Sequence, residues 1–456
     1  MLLLNRHHFK QRVATIFKKF FRLLLPKKKL HLRPIIIPRE EHSISRQDFT
    51  SNTLKVLYRL KQQGYSAYLV GGSIRDLLLK VTPKDFDIAT DARPEKIKQL
   101  FRNCLLIGRR FRLAHIRFGR EVIEVTTFRA GEKKTSFKHR AIASHGMLLR
   151  DNIYGSLEED VWRRDFTINA LYYNIADFSL LDYCGGIADI KNKLIRIIGD
   201  PATRYQEDPV RLLRAVRFAG KLGFTLEAAT GHCIPQLAPL LRHVPPARLF
   251  EEILKLFHHG QALKTYHLLV EYQLLSELFP QTAACFLPEE TMPLLELACK
   301  NTDYRTQEGK TVSPAFLFSV FLWPALQISV KKLLEKHVPW FVGYQQAVSQ
   351  VLAEQQQTTT IPRRYSTAIR EIWDLQHRLA QRRPSSIYKL TTHPRFRAAY
   401  DFLLLRAEIA EINPRIAHWW THYLDSEEST KKQLIEQLIK AGPTTLQRRK
   451  KPGRSR

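Results

Sequence analysis

The pattern of apolar and polar positions divides the chain into a first part that mixes strands with helices and a second part that is helical. Between residues 50 and 198, apolar runs with the two-residue period of strands alternate with runs of helical spacing. From residue 199 onward, apolar positions recur at helical spacing and prolines mark the turns. The pattern therefore predicts an α+β fold, in which a mixed sheet with helices precedes an all-helical region.

The most informative stretch, residues 68–90, predicts a strand, a tight turn, a short helix and a second strand. The turn, Gly71-Gly72-Ser73, separates the first strand from a helix that begins at Ile74. Because two turn positions lack a Cβ, backbone N–H groups can approach a phosphate closely, and the start of the helix adds a positive dipole. The turn is therefore a predicted anion site.

Two acids, Asp85 and Asp87, follow on the second predicted strand with one residue between them. Side chains two positions apart in a strand project from the same face, so these carboxylates converge. They repel one another unless a cation lies between them, and Mg²⁺ takes carboxylate oxygens together with substrate phosphates. Either motif alone is commonly a plain turn or strand end, but their combination at this spacing is far more specific. It predicts a Mg²⁺ site beside the anion site.

A third carboxylate and a pair of arginines lie further along the chain. Glu124 stands in a predicted apolar strand, where an acid is costly unless it is paired or bound to metal. An ion pair with Arg129 or a neighbouring arginine is the alternative. Arg163 and Arg164 precede Asp165 and an apolar stretch of helical spacing. The arginines can face a triphosphate, whereas Asp165 either contacts the nucleotide sugar or caps a helix.

Three other segments have predicted structures. Residues 175–198 read as a β-ribbon with its turn at Gly185, and residues 130–149 read as a mobile loop over the mouth of the site.

After residue 199, Asp208 lies at a helix start and Arg211 lies about one turn later. Together their donors and acceptors can pair with the Watson–Crick edge of a base. A helix cap followed by a solvated basic face is the alternative.

Charge and cysteine content narrow the class of protein. The 456 residues include 73 Lys and Arg against 43 Asp and Glu, a net charge of +30, which favours a polyanionic partner. Residues 1–38 form a basic amphipathic extension that either docks on an anionic membrane surface, contacts phosphates or packs on the body. The five scattered cysteines indicate a reducing compartment without structural zinc. We therefore expect a cytoplasmic protein, peripheral at the inner membrane surface if the extension binds lipid.

Several motifs together resemble a known family. GGS with IRDLLL, KDFDIAT, EVTTFR, EEDVWRRDFTINAL and EDPVRLLRAVRFAGKLGF are similar to the class II tRNA nucleotidyltransferase and bacterial poly(A) polymerase family. Residues 101–119 resemble the poly(A)-polymerase members in particular. The resemblance implies a polymerase-β-like nucleotidyltransferase palm at 50–198 and a helical neck for base recognition at 199–260. It also implies a helical RNA-binding body at 261–440, and composition predicts a disordered basic tail at 441–456.

The same resemblance assigns roles to particular residues. Asp85 and Asp87 would hold two Mg²⁺ ions, with Glu124 or Asp165 as the third catalytic carboxylate. The implied ATP-binding residues, of which the last two recognise the base, are Gly71, Gly72, Ser73, Arg75, Arg163, Arg164, Asp208 and Arg211.

The activity that the resemblance implies is template-independent transfer of AMP from ATP to RNA 3′ ends, with release of pyrophosphate, in RNA polyadenylation and decay. One alternative is a CCA-adding tRNA nucleotidyltransferase, which shares the palm and the base-selecting helix. The other is a non-catalytic RNA-binding adaptor, which gains nothing from clustered unpaired acids near phosphate. We expect a monomer that binds ATP and RNA, with an RNA chaperone, the decay machinery and a membrane surface as further candidate partners.

Overall fold

The computed structural model describes residues 33–108, 112–130, 141–142, 148–150, 153–286 and 292–441. Most of the amphipathic extension, most of the predicted loop at 130–149 and nearly all of the basic tail therefore lie outside the described residues. The fold-class prediction is confirmed, because a mixed sheet with flanking helices precedes a long helical region.

An eight-stranded sheet forms the palm, with strand order β1-β10-β9-β2-β3-β6-β5-β4. The central strands β3 and β6 run parallel, and the other neighbouring strands run antiparallel. A second, two-stranded sheet pairs β7 with β8, and a third pairs β11 with β12. The strands are β1 (Ile35–Ile37), β2 (Ala67–Val70), β3 (Asp87–Thr90), β4 (Cys104–Ile107), β5 (Leu113–Phe118), β6 (Glu121–Thr127), β7 (Ala141–Ile142), β8 (Leu148–Arg150), β9 (Leu171–Asn174), β10 (Leu180–Asp182), β11 (Leu194–Ile195) and β12 (Thr225–Leu226).

The helices of the palm begin at clear sequence features. Thr50 accepts a hydrogen bond from the Thr53 backbone N–H at the start of the first helix, and Ser156 forms a capping box with Glu159 at the start of the fourth. These caps satisfy N–H groups that have no partner inside a helix. The palm helices are α1 (Ser51–Gln62), α2 (Gly72–Leu78), α3 (Pro94–Leu100), α4 (Leu157–Arg163) and α5 (Gly186–Lys191).

The neck and body are helical, as predicted, apart from the two-residue strand β12 in the neck. Many of these helices carry proline in the first turn, where its missing N–H costs nothing. The neck contains α6 (Pro201–Glu207), α7 (Val210–Leu222), α8 (Ala228–Leu237) and α9 (Pro246–Phe257). The body contains α10 (Ala262–Glu271), α11 (Leu275–Leu278), α12 (Pro280–Ala283), α13 (Pro293–Gln307), α14 (Pro314–Phe321), α15 (Trp323–Glu335), α16 (Trp340–Thr358), α17 (Arg363–Gln381), α18 (Ile387–Thr391), α19 (Phe396–Glu408), α20 (Pro414–Asp425) and α21 (Glu428–Ala441).

Large aromatic side chains fill the core of the body. Trp373 and Trp420 are fully buried, and their indole N–H groups donate to the backbone carbonyls of Ser319 and Leu379. Within the described residues, no single helix is long and apolar enough to cross a membrane, and only α14 and α15 taken together, bent by 47°, meet that test.

The palm begins earlier in the chain than the predicted boundary. Ile35–Ile37 pairs with β10 at the edge of the sheet, although the sequence predicts that the extension runs to residue 38. Prolines at positions 34 and 38 flank this strand, and proline is tolerated at sheet edges because it removes a donor that the edge does not need. The strand therefore belongs to the palm sheet.

The predicted β-ribbon at 175–198 is wrong over its central part. A helix, α5, follows Gly185, which has a positive φ of 80°. One carboxylate explains the helix start, because Asp182 accepts hydrogen bonds from the backbone N–H groups of Cys184, Gly185, Gly186 and Ile187. Such a cap favours a helix over a hairpin.

The apolar stretch after Asp165 also differs from its predicted helix. Residues Thr167–Asn169 form a single 3₁₀ turn, and the chain then enters β9. The Ile198 N–H donates to the Asp165 carbonyl, and the Thr167 N–H donates to the Arg196 carbonyl. These pairings use the backbone groups that a helix would have needed.

Candidate active site

Asp87 and Glu124 bring two carboxylates together on neighbouring strands. Asp87 is the first residue of β3, and the parallel register places it opposite Glu124 of β6, at a strand spacing of about 4.8 Å. Asp85 precedes the strand, rather than lying in it as predicted, and is exposed. Burial, then the charges of Glu124 and Asp85, raise the pKa of Asp87 to about 6 against the attraction of Arg164. Glu124 also lies 3.4 Å from Nε2 of His115. The repulsion between the neighbouring Asp87 and Glu124 carboxylates favours a cation beside them.

Gly71 has a backbone conformation that glycine alone adopts without strain. Its φ is 77° and its ψ is −138°, and α2 begins at the next residue. A Cβ at this position would lie 3.7 Å from Arg164 Nη1 and 3.7 Å from Asp87 Oδ2. The glycine turn, the acid and the guanidinium therefore surround one common space.

Ser73 and Arg75 make their contacts inside the protein. The buried Ser73 hydroxyl donates to the Val70 carbonyl at 3.1 Å. Arg75, which is 2% exposed, donates to Asn169 Oδ1 at 2.7 Å and from Nε to Asp76 Oδ1 at 2.9 Å. These contacts favour a role in supporting the glycine turn over direct contact with a triphosphate.

Arg164 is held beside the common space by two side chains. Its Nε donates to the Tyr172 hydroxyl at 2.5 Å, and its Nη2 donates to Asp160 Oδ2 at 3.2 Å. The Tyr172 hydroxyl in turn donates to Asp160 Oδ2 at 2.6 Å. Burial by itself lowers the pKa of Arg164, but Tyr172 and Asp160 raise it further than burial lowers it. Arg163, its neighbour, donates from Nη1 to the Ala130 carbonyl at 2.7 Å.

Asp165, whose side chain is 12% exposed, is joined to the neck. Arg214 of α7 donates from Nε to Asp165 Oδ2 at 2.7 Å, and its Nη2 donates to the same oxygen. Asp165 Oδ1 accepts from the Phe166 N–H at 2.8 Å and from Asn169 Nδ2 at 3.1 Å. Burial favours the neutral acid, but Arg214 holds the pKa of Asp165 well below its usual range. Both carboxylate oxygens therefore have partners within the protein.

Arg204 of α6 connects the neck to the arginine pair. Its Nη2 donates to the backbone carbonyls of Arg163 at 2.8 Å and Arg164 at 2.7 Å. Its Nη1 donates to Glu207 Oε2 at 2.5 Å, and Arg211 donates to the same oxygen at 3.0 Å. The segment that carries both arginines is thereby fixed to the neck.

The two predicted base-recognition residues are each oriented by a partner. Asp208 accepts two hydrogen bonds from Arg248 of α9, both at 2.9 Å. Arg211 donates to the Arg204 carbonyl at 2.7 Å as well as to Glu207. Their side chains are 19% and 12% exposed, so they lie in a partly enclosed part of the neck.

A basic cluster lies where the palm meets the neck. It comprises Lys84, which directly precedes the acid pair, Arg217 and Lys221 of α7, and His259. Burial, then the charges of Lys84, Arg217 and Lys221, lower the pKa of His259. Nε of Arg217 is buried and has no hydrogen-bond partner among the described residues, whereas Lys221 lies 3.7 Å from Asp76. This excess of positive charge suits a phosphate group.

The glycine turn and acid cluster on a mixed sheet, followed by helices, define a nucleotidyltransferase palm with a helical neck and body. Comparison with family models agrees. Residues 67–196 match the Poly A polymerase head domain, residues 223–286 match the probable RNA and SrmB- binding site of polymerase A, and residues 336–456 match the polymerase A arginine-rich C-terminus. The chain is therefore a nucleotidyltransferase enzyme.

Individual relatives narrow this class. Poly(A) polymerase I of Escherichia coli O157:H7 is 48% identical over 427 residues, which is 91% of each chain. The CCA-adding enzyme of Bacillus subtilis (strain 168) is 41% identical over 228 residues, 49% of this chain and 54% of its own. The crystal structure of Bacillus stearothermophilus CCA-adding enzyme in complex with CTP is similar with a TM-score of 0.54 at 25% identity, covering 85% of this chain and 82% of that one. The chain belongs to the poly(A) polymerase I family, which confirms the resemblance.

Sequence reasoning missed several residues that orient this site. Asp160 and Tyr172 hold Arg164, Arg204 holds the backbone of the arginine pair, and Arg248 holds Asp208. Asp160 lies in the first turn of a capped helix, where an acid is expected for local reasons alone. The sequence offered no pattern that links the others to the site.

Proposed function

We propose that this chain transfers AMP from ATP to the 3′ end of RNA without a template and releases pyrophosphate. The observation that carries the proposal is the convergence of Gly71, Asp87 and Arg164 on one space. It combines a backbone that can approach phosphate, an acid that can hold a cation and a guanidinium that can bind phosphate oxygens. Relatives named Poly(A) polymerase I, matched over most of both chains, support adenylate addition to RNA.

The triphosphate binds between the glycine turn and Arg164. Gly71 and Gly72 present their backbone, and the Arg164 guanidinium contacts phosphate oxygens while Tyr172 and Asp160 fix its orientation. Arg163 lies beside this group and anchors the segment through the Ala130 carbonyl. Ser73 and Arg75 stabilise the conformation of the glycine turn through hydrogen bonds to Val70 and Asn169.

Asp85 and Asp87 fit a Mg²⁺ site that is completed by substrate. Among the described residues, no group of three His, Cys, Asp or Glu side chains is spaced to hold a metal alone. Mg²⁺ is commonly held by one or two carboxylates together with substrate phosphates. The pKa of Asp87 is raised first by burial and then by the negative charges of Glu124 and Asp85, and a cation would relieve that repulsion. Two bound Mg²⁺ ions would activate the RNA 3′ hydroxyl and neutralise charge on the departing pyrophosphate.

Glu124 is the third carboxylate, and Asp165 is a positioning residue. Glu124 lies opposite Asp87 in the parallel register, whereas Arg214, Asn169 and a backbone N–H already use both oxygens of Asp165. A carboxylate committed to three donors is a poor metal ligand, because each donor would have to be replaced.

Asp208 and Arg211 select adenine. The adenine edge offers an amino donor to a carboxylate and a ring nitrogen acceptor to a guanidinium. Arg248 and Glu207 orient the two side chains, so their donors and acceptors are fixed before the base arrives, which lowers the entropic cost of binding.

RNA reaches the site across the basic cluster. Lys84, Arg217, Lys221 and His259 lie at the seam between the palm and the neck, next to the acids. Phosphate contacts of this kind are independent of sequence and weaken with salt. Membrane contact by residues 1–38, recruitment by an RNA chaperone or the decay machinery and a monomeric state stay predictions of the sequence.

An extension assay tests the function. Purified protein is incubated with a generic RNA, or with tRNA lacking its 3′ end, and with each NTP separately. Long tails made from ATP on the generic RNA are expected, and Asp85→Ala with Asp87→Ala should abolish them. CTP incorporation confined to the tRNA, with no long A tail, would identify a CCA-adding enzyme instead. RNA binding without incorporation of any nucleotide would identify an adaptor.

A further inference from the structure

A cavity of about 550 Å³ lies among the helices of the body. Helices α13, α14, α17 and α19, with the connection from α13 to α14, provide its walls. Its volume falls in the range of small-ligand sites. We propose that this cavity binds one nucleotide of the RNA substrate, upstream of the 3′ end that enters the active site. The proposal rests on RNA being the substrate.

The inner wall of the cavity is apolar and comes from three helices. Phe316 lies on α14, Ile372 on α17, and Leu404 on α19. Ile372 is 1% exposed, so its helix is firmly packed. An apolar pocket of this size suits a planar base, because a base keeps its polar groups at its edge while its faces pack against carbon.

The rim of the cavity is basic. Arg305, Lys310, Arg395 and Arg397 line it, and Asp401 is the acid that lines it within the described part of the chain. Asp401 lies 2.9 Å from Arg397 Nε and 3.6 Å from Arg305 Nη1, so it holds guanidinium groups from two helices at one edge.

The rim cations still reach solvent. Arg397 has a side chain 71% exposed, and Arg395, 46% exposed, is paired at 3.1 Å with Glu371 outside the cavity. Lys310, 59% exposed, lies 3.9 Å from Glu308. Exposed guanidinium and ammonium groups above an apolar pocket present donors where the phosphates on either side of an inserted base would lie.

A single-stranded nucleic acid fits this chemistry better than an acidic protein segment. Tyr304, 60% exposed, also lines the cavity and offers a ring for stacking. An aromatic platform together with a basic rim is the usual combination for single strands. The net charge of +30 favours a polyanion in the same way.

Two variants of the full chain separate the pocket from its rim. Ala398→Phe, on the α19 wall, fills the cavity and keeps every charge. Arg397→Ala removes one rim cation and leaves the cavity open. Arg415→Ala, an exposed arginine on α20 outside the lining, is the matched control. Affinity for oligo(A) of about 20 nucleotides is measured by fluorescence anisotropy over a range of salt, and AMP incorporation is measured on a primer of about five nucleotides.

We expect Ala398→Phe to weaken binding of the long oligonucleotide roughly tenfold with little change in its salt dependence. Arg397→Ala should weaken binding and reduce the salt slope by about 0.7, the value for one lost single-strand phosphate contact. The control should match the wild-type chain. Incorporation on the short primer should be unchanged in all variants, so that loss of this site is distinguishable from loss of the active site.

Two outcomes would overturn the proposal. If both variants bind the long oligonucleotide as the wild-type chain does, RNA does not occupy the cavity, and an acidic protein segment becomes the better occupant. If Ala398→Phe reduces the number of free ATP molecules bound per chain without weakening oligo(A), the occupant is a free nucleotide. An unchanged melting temperature for Ala398→Phe shows that any loss reflects the cavity and not misfolding.

Discussion

Arg214 of the neck donates two hydrogen bonds to one carboxylate oxygen of Asp165 in the palm. The other Asp165 oxygen accepts from Asn169, and Asn169 accepts from Arg75 of α2. A polar chain therefore runs from the helix of the glycine turn through the palm to the neck. Its members fix the relative placement of the glycine turn and the helix that carries Arg211.

Asp165→Asn keeps the size of the side chain and removes the charge that Arg214 requires. We expect the free energy of unfolding to fall by about 2 kcal/mol, within the range for hydrogen bonds to charged groups. Urea unfolding measures the change, with Glu335→Gln, an exposed acid of α15, as the control. Loss of activity with unchanged stability would instead favour a direct catalytic role for Asp165.

The stability that this pair contributes should depend on pH in one direction. The pKa of Asp165 is lowered on folding, from an unfolded value of about 4. The contribution is therefore fully present above about pH 4 and is lost as the pH falls through the lower folded pKa. Melting temperatures from about pH 7 downward should show a gap between the wild-type chain and Asp165→Asn that narrows only below about pH 4. A gap that closes near neutral pH would contradict the assignment.

Gly71→Ala should damage activity through backbone strain at the phosphate site. An Ala side chain has room, with its nearest neighbours at 3.7 Å, but φ of 77° and ψ of −138° suit glycine alone. We expect kcat/KM for ATP to fall by roughly a hundredfold, because a misplacement near 1 Å costs about that much. Gly64→Ala is the control, since Gly64 also has a positive φ, of 81°, with open space around it. Equal losses in the two variants would show that strain lowers stability without acting on the site.

Glu124→Gln should raise the Mg²⁺ concentration needed for half-maximal activity and lower kcat. The change removes a negative charge opposite Asp87 without changing the shape of the side chain. A loss of about tenfold or more in kcat is expected from one charged group near developing charge. Glu121→Gln on the same strand is the control, because Glu121 accepts from Thr50 and Asn52 at the start of α1. An unchanged Mg²⁺ requirement would show that Glu124 is not the third carboxylate.

Arg248→Ala should relax the choice of nucleotide. Without Arg248, the Asp208 carboxylate loses two hydrogen bonds of 2.9 Å and can rotate. We expect the ratio of kcat/KM for ATP to that for CTP to fall by about tenfold, the equivalent of one well-oriented contact. Arg242→Ala, which removes an exposed arginine paired with Glu277, should leave the ratio unchanged. An intact ratio in Arg248→Ala would mean that Asp208 is not oriented through this pair.

Local features of the site could be predicted because the conformation of a turn and the face on which a strand residue lies depend on only a few neighbouring residues. The glycine turn at Gly71 and the placement of Asp87 on a strand both follow from such rules. Partners far apart in sequence could not be predicted in this way. Arg248 lies 40 positions from Asp208, and Arg214 lies 49 positions from Asp165, and only tertiary packing brings them together.

The errors in the predicted elements have equally physical origins. The pair Gly185-Gly186 is as compatible with a hairpin turn as with the start of a helix. The helix forms because the Asp182 carboxylate accepts hydrogen bonds from four backbone N–H groups there. The strand at Ile35–Ile37 has β-branched side chains, but it is only three residues long and is flanked by prolines, so its own sequence also fits an extended linker. Its pairing with β10 in the folded protein is what makes it a strand.

Arg204 links the arginine pair of the proposed phosphate site to Arg211, the residue proposed to contact the base. One guanidinium binds the carbonyls behind Arg163 and Arg164 and also the Glu207 carboxylate that orients Arg211. A base that displaced Arg211 would pull on the backbone of the triphosphate site. A mismatched nucleotide would therefore be penalised twice, once by its poor pairing and once by a badly aligned α-phosphate.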